Sequence, residues 1–152
     1  MIEKIKERLK EHILEYKENI DMHILVIKKE SLLSVIKTLH DEFNFNMLVD
    51  LTAIDWLDKK QERFEIVYHL RNLDENFMIR VKTSINENEE IDSITSIYRG
   101  ANWLEREVYD MFGIIFKNHP NLERILMWES FQGHPLRKDF FIRTEVSLPE
   151  NE

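Results

Sequence analysis

The residues most able to do chemistry lie together in Ala101-Asn-Trp-Leu-Glu-Arg-Glu-Val-Tyr-Asp-Met-Phe-Gly113. On a helix, Arg106 and Asp110 are four apart and Glu107 and Asp110 three apart, so their side chains are neighbours. Two adjacent carboxylates can serve as general acid and base or share a divalent cation. The same spacing describes an ordinary solvated face carrying an ion pair, and composition favours that plainer arrangement. Six histidines are present: His12, His23, His40, His69, His119 and His134. None stands in an HxxxH, HExxH or HxH pair, so histidine ligation of a metal has no support. His119-Pro120 and His134-Pro135 are more informative, because a residue before proline favours extended backbone and both steps read as fixed loop positions. Either imidazole could act as a base, yet no serine or cysteine nucleophile accompanies it. A small hydrolase or lyase built on Glu107, Asp110 and His119 is therefore the rival catalytic reading, and it requires those three side chains to line one pocket.

A second group is Gly133-His-Pro-Leu-Arg-Lys-Asp-Phe140. From residue 117 to 143 the bases Lys117, Arg124, Arg137, Lys138 and Arg143 face only Glu123, Glu129 and Asp139. On an acidic protein this local excess suggests a docking surface for an acidic partner. Internal pairing with Glu105, Glu107 or Asp110 is the competing use of the same charges. Leu126, Met127, Trp128, Phe131, Phe140 and Phe141 are interleaved with them, as in an arm that packs on another chain.

Composition removes most other chemistry. The chain has 152 residues, 43% hydrophobic and 33% charged, which suits one globular domain. It has no cysteine, so disulfides, cysteine nucleophiles and thiolate-held zinc, haem or iron–sulfur clusters are excluded. Its three glycines, Gly100, Gly113 and Gly133, are too dispersed for a phosphate-cradling loop. A net charge of −8 argues against a nucleic-acid partner. No apolar run approaches a membrane span, and the charged N-terminus lacks the apolar centre of a signal peptide, so a cytosolic protein is expected.

The elements that must position these residues follow from hydrophobic periodicity. Ile2, Ile5, Leu9, Ile13, Tyr16 and Ile20 recur at spacings of three and four and predict a first helix. Residues 23–28 suit a short strand. Ser31 can cap a second helix with Leu32, Val35, Ile36, Leu39 and Phe43 inward. A period of two then places Met47, Val49, Leu51 and Ala53 on one strand face. Two more alternating strands come next, around Phe64–Leu70 and Phe77–Val81, joined by short loops as in antiparallel hairpins. Residues 86–92 read as an acidic loop, and Ile94, Ile97 and Tyr98 as a short helix. Asn102 and Glu105 have capping-box spacing for a further helix ending at Gly113, with Leu104, Val108, Met111 and Phe112 as its apolar stripe. The expected fold is α+β, a two-layer domain with antiparallel strands covered by helices, followed by an extended irregular C-terminal arm. Residues 1–116 form the body and 117–152 the arm, within one domain.

Glu105-Arg-Glu-Val-Tyr-Asp-Met-Phe-Gly-Ile-Ile-Phe-Lys-Asn-His-Pro-Asn-Leu-Glu-Arg-Ile-Leu126 resembles the signature of the respiratory complex I 30-kDa-type subunit, a component of the proton-pumping NADH:quinone oxidoreductase. The block from Gly133 to Phe140 is similar to the same family's C-terminal motif. The resemblance implies a subunit of the peripheral arm without catalytic, cofactor-binding or metal-binding residues of its own. FMN, iron–sulfur clusters and quinone are then expected in partner subunits. The implied partners are the large quinone-site (49-kDa-type) subunit and neighbouring iron–sulfur subunits, on the cytoplasmic side of the cell (inner) membrane. Membrane contact is expected only through those partners. Carried onto this sequence, the motif positions are Glu105, Arg106, Glu107, Asp110, His119, Pro120, Arg124, Gly133, His134, Pro135, Arg137, Lys138 and Asp139. A similar subunit occurs in membrane-bound energy-converting hydrogenases and coenzyme-F420-type dehydrogenases, and both stand as alternatives.

Overall fold

A computed structural model describes residues 1–141. The elements are α1 (Ile2–Arg8), β1 (Ile13–Asn19), β2 (Met22–Ile27), α2 (Leu32–Phe43), β3 (Met47–Asp55), β4 (Phe64–Asn72), β5 (Phe77–Ile85), β6 (Glu90–Asp92), α3 (Ala101–Phe112) and β7 (Ile115–Lys117). Five strands form one sheet in the order β1-β2-β5-β4-β3, while β6 and β7 pair separately. Pairing is antiparallel except at β2–β5 and β6–β7, so the expected α+β class holds with a mixed sheet.

One sheet face carries Leu25, Ile27, Leu51, Ala53, Phe64, Ile66, Tyr68, Leu70, Ile79 and Val81, all buried. Ile5 of α1 and Leu9 just after it, Leu32, Val35, Ile36 and Leu39 of α2, and Val108, Met111 and Phe112 of α3 complete the same core. The three helices therefore lie on one face, and burying this continuous apolar layer is the main stabilising term. The opposite face is polar and cross-linked: Arg80 Nε donates to His69 Nε2 at 2.8 Å and Lys82 Nζ to Glu65 at 3.1 Å.

Several expectations are corrected. The first helix stops at Arg8, and Ile13 and Tyr16 belong to β1. A register shift between Ile13 and Glu15 lets both reach the core although they are three apart. One extra strand residue thus imitates helical spacing. Ile20 is fully exposed in the turn. A second shift, between Leu48 and Asp50, turns Met47 and Val49 outward and Leu48 inward, so the predicted Met47–Ala53 face is broken.

Ser31 does not cap α2 with its side chain. Its hydroxyl pairs with His12 Nδ1 at 2.9 Å, and a 3₁₀ turn over Lys29–Ser31 leads into the helix. The segment 86–92 is more than a loop, since Glu90–Asp92 is β6, beside β7. Ile94–Tyr98 makes a single turn through Tyr98 N–H to Ile94 C=O. No helix or strand covers 118–141, which agrees with an irregular arm. Residues 142–152, with Arg143 and Pro149, lie outside the described residues.

Candidate functional site

The first signature block comprises α3 and the segment after it, and α3 turns its two most buried acids toward different neighbours. Glu105 and Asp110 are both 0% exposed, so the solvated face expected for this charge run is not what forms. Glu105 is no capping-box residue. Gly100 stands at the helix start, and Glu105 reaches back to the segment after β6, accepting from Ser93 Oγ and Ile94 N–H, both at 2.7 Å. Arg106 does not pair with Asp110; it donates to the carbonyls of Glu123 and Arg124, both at 3.1 Å. Glu107 faces solvent.

Asp110 is the point on which the arm is fastened. Its Oδ2 accepts the N–H groups of Ile125, Leu126 and Met127 at 3.1, 2.8 and 2.9 Å. Its Oδ1 accepts from Arg124 Nη1 at 2.6 Å. Burial alone would raise this carboxyl, but the Met127 N–H, the Arg124 guanidinium and the other two amides hold it below the ordinary range. Arg124 also donates to the Gly133 carbonyl at 2.8 Å, joining the two halves of the arm.

The block 133–140 closes the end of α3. The last helical carbonyls lack intrahelical donors and need partners. His134 Nδ1 pairs with the Asp110 carbonyl at 3.0 Å, Leu136 N–H with that of Met111 at 3.0 Å, and Arg137 Nε with that of Phe112 at 2.6 Å. With a carbonyl acceptor, His134 carries its proton on Nδ1; burial, aided by Arg137 and Arg124, keeps the ring below its ordinary pKa. Gly113 makes the approach possible. Its φ is +74°, and a Cβ there would lie 2.6 Å from the His134 ring and 2.7 Å from Arg137 Nη2.

Farther on, Lys138 N–H donates to Asp55 Oδ2 at 2.9 Å and Asp139 accepts from Arg63 at 2.7 Å. Arg63, 7% exposed, also grips both Asp55 oxygens at 3.0 and 2.9 Å and Glu87 at 2.9 Å. Burial works to raise Asp55, yet Arg63 and the Lys138 amide hold it below the usual carboxylate range. Arg137 reaches Glu87 as well, at 3.3 Å. The competing use of the basic charges, internal pairing, thus accounts for Arg124 and Arg137, with Asp110 and Glu87 as the acids.

The rival catalytic triad is not assembled. Glu107 is in solvent, Asp110 is saturated by the arm, and His119 is buried against Glu105. Pro120 is exposed beside it. Among the described residues, no group of three or more histidines and acids could hold a metal ion, and no helix is long and apolar enough to cross a membrane.

Residues 25–146 match the family described as the respiratory-chain NADH dehydrogenase, 30 Kd subunit. The chain belongs to this family. The C-type subunit of NADH-quinone oxidoreductase from Citrifermentans bemidjiense is 47% identical over 138 residues, covering 90% of this chain and 85% of its own length. That of Trichlorobacter lovleyi is 44% identical over 140 residues, covering 91% and 86%. A polypeptide of the membrane-bound sulfane sulfur reductase, described as an archaeal respiratory membrane complex, superimposes with a TM-score of 0.81. The match spans 99% of this chain and 93% of that one at 24% identity, which establishes a shared fold.

Within this 30 Kd family framework, the two blocks read from sequence are brought into direct contact. Arg124, Gly133, His134, Arg137 and Asp139 sit on the body, and Lys138 attaches by its backbone while its side chain is exposed. Pro135 fixes the step between His134 and Leu136. Asp55, Arg63, Glu87 and Ser93 were not singled out by sequence. A charge at each end of the β3–β4 connection, next to buried apolar strands, is the one signal that Asp55 and Arg63 offer.

Proposed function

We propose that this protein is a non-catalytic, peripheral-arm subunit of a proton-pumping NADH:quinone oxidoreductase. It scaffolds the large quinone-site (49-kDa-type) subunit and the neighbouring iron–sulfur subunits, on the cytoplasmic side of the cell membrane. FMN, clusters and quinone reside in those partners. The reading is carried by one observation: Arg106, Asp110, Arg124, His134, Arg137 and Asp139 of the two signature blocks are engaged in fastening the arm to α3 and to the sheet end. What the arm leaves outward includes apolar and cationic side chains, Leu126 61% and Leu136 55% exposed together with Lys138, alongside the exposed acids Glu123 and Glu129. Such a mixture suits docking and offers no reacting group. The 47% identity to an NADH-quinone oxidoreductase component, against 24% to the sulfane sulfur reductase polypeptide, favours the NADH:quinone enzyme.

Because Arg137 is part of the internal fastening, charge reversal there would perturb the fold as well as any interface. The informative variant is Leu136→Glu with Lys138→Glu. It should abolish co-purification with the large quinone-site subunit while the isolated protein's stability stays within about 0.5 kcal/mol. Unchanged assembly of the double variant would refute the docking role.

A further inference from the structure

Glu105 is a carboxyl group enclosed without a lysine or arginine partner among the described residues. It is 0% exposed and has two donors, the Ser93 hydroxyl and the Ile94 N–H. The groups around it come from every packed element. Tyr68 of β4 lies within the field of both Glu105 and Asp92, and His119 comes from the segment after β7, its Nε2 3.8 Å from Glu105 Oε2. The nearer ring nitrogen of His119 is bonded elsewhere. Its Nδ1 accepts the Asn121 N–H at 3.0 Å, so its proton is on Nε2, directed at the Asn102 carbonyl at 3.0 Å. Tyr68 is fully buried, and its hydroxyl has no hydrogen-bond partner among the described residues.

A carboxylate can accept about four hydrogen bonds and, when ionised in an apolar interior, needs a positive partner. The neutral acid fits the same atoms better. Its Oε2–H can donate to Ser93 Oγ, and the Ser93 hydrogen can turn to Thr95 Oγ1 at 2.8 Å. Ser93 Oγ still accepts the Thr95 N–H at 3.2 Å. Every polar group of this network keeps a partner, and no heavy atom moves. Burial pushes this carboxyl up to about 7, with Ile94 and Ser93 pulling the other way.

We propose that Glu105 is a proton-operated latch: as a neutral acid it seals α3 against the segment between β6 and α3 and against His119, and its ionisation opens that junction. The latch lies about 7.5 Å along α3 from Asp110. Loosening at one therefore reaches the helix that seats the arm at the other. This inference stands on the Glu105 surroundings alone and is independent of the docking proposal.

The sign of the linkage follows from the direction of the shift. Between the ordinary pKa of 4.5 and about 7 the folded protein binds more protons than the unfolded one, so stability falls as pH rises through that window and levels off above it. Urea unfolding of the full-length protein across this range, wild type beside Glu105→Gln, tests the latch. The folding constant of the wild type should lose on the order of 100-fold or more relative to the variant across the window. Parallel profiles would overturn the proposal. If the variant does not fold, infrared spectroscopy of the wild type provides the second readout. A protonated-carboxyl band that disappears near neutrality supports the latch, and no carboxyl band titrating above the ordinary glutamate range refutes it.

Discussion

Replacing Asp110 with Asn keeps the size of the side chain and removes half of what it does. The aspartate oxygens accept three backbone N–H groups and the Arg124 guanidinium, and the residue is wholly buried. An asparagine has one oxygen. If that oxygen stays with residues 125–127, its NH₂ faces the Arg124 fork, donor against donor. If it flips, the three amides lose their acceptor. Hydrogen bonds to a charged group contribute about 1.5–3 kcal/mol each, and breaking a buried pair from one side costs about 3–5 kcal/mol. Arg124 keeps its bond to the Gly133 carbonyl and some exposure, so the expected loss is about 3 kcal/mol. That is a large share of the stability of a domain this size. Urea unfolding at pH 7 reads the loss, and limited proteolysis locates it in the arm. The acid limb adds a sharper check. The Asp110 pKa is depressed, so its contribution is complete above the ordinary 3.8 and disappears as pH falls through the lower folded value. Wild type and variant should therefore converge in strong acid. A loss below about 0.5 kcal/mol at pH 7, or a difference that persists undiminished in acid, would refute the role given to this carboxylate.

Two other changes probe the packing around it. Gly113→Ala forces a Cβ into the His134 ring and Arg137 at a positive φ, and should destabilise by about 2 kcal/mol or more and raise arm proteolysis; a wild-type cleavage pattern would contradict that seat. Tyr68→Phe removes a buried hydroxyl that has no partner among the described residues and should leave the thermal midpoint unchanged or raise it by an amount equivalent to about 1 kcal/mol; a clear drop would mean that the hydroxyl is bonded in solution.

The strands and helices with a single uninterrupted period were legible from sequence: α2 through Leu32, Val35, Ile36 and Leu39, β4 through Phe64 to Leu70, and the end of α3 at Gly113. The errors occur where one extra residue changes the phase. Ile13 and Tyr16 look helical because a bulge lies between them and their partners on β2, and Met47 and Val49 lose the core to Leu48 for the same reason. Local spacing cannot register an insertion that only the neighbouring strand reveals. The site was legible as a set of residue types and illegible as a set of partners. Arg106 and Asp110 sit four apart on one helix and yet each bonds the arm, because residues 123–127 outcompete a solvent-exposed pair by bringing their own unsatisfied backbone. Glu105, expected at a cap, is buried because the preceding turn at Ser93 and Ile94 presents two donors to it. Arg63 finds Asp139 across 76 positions, a pairing for which no local pattern exists.

The closure of α3 by His134, Leu136 and Arg137 also bears on the order in which the polypeptide matures. During synthesis the helix leaves the ribosome more than twenty residues before the groups that terminate it. Until they arrive, the carbonyls of Met111 and Phe112 lack these donors, and the final turn frays. The sheet and its two earlier helices are complete in the sequence before these residues, whereas the C-terminal turn of α3 must wait for residues 134–137. A nascent polypeptide interrupted before residue 134 therefore presents an open helix end, and the completed one a sealed end.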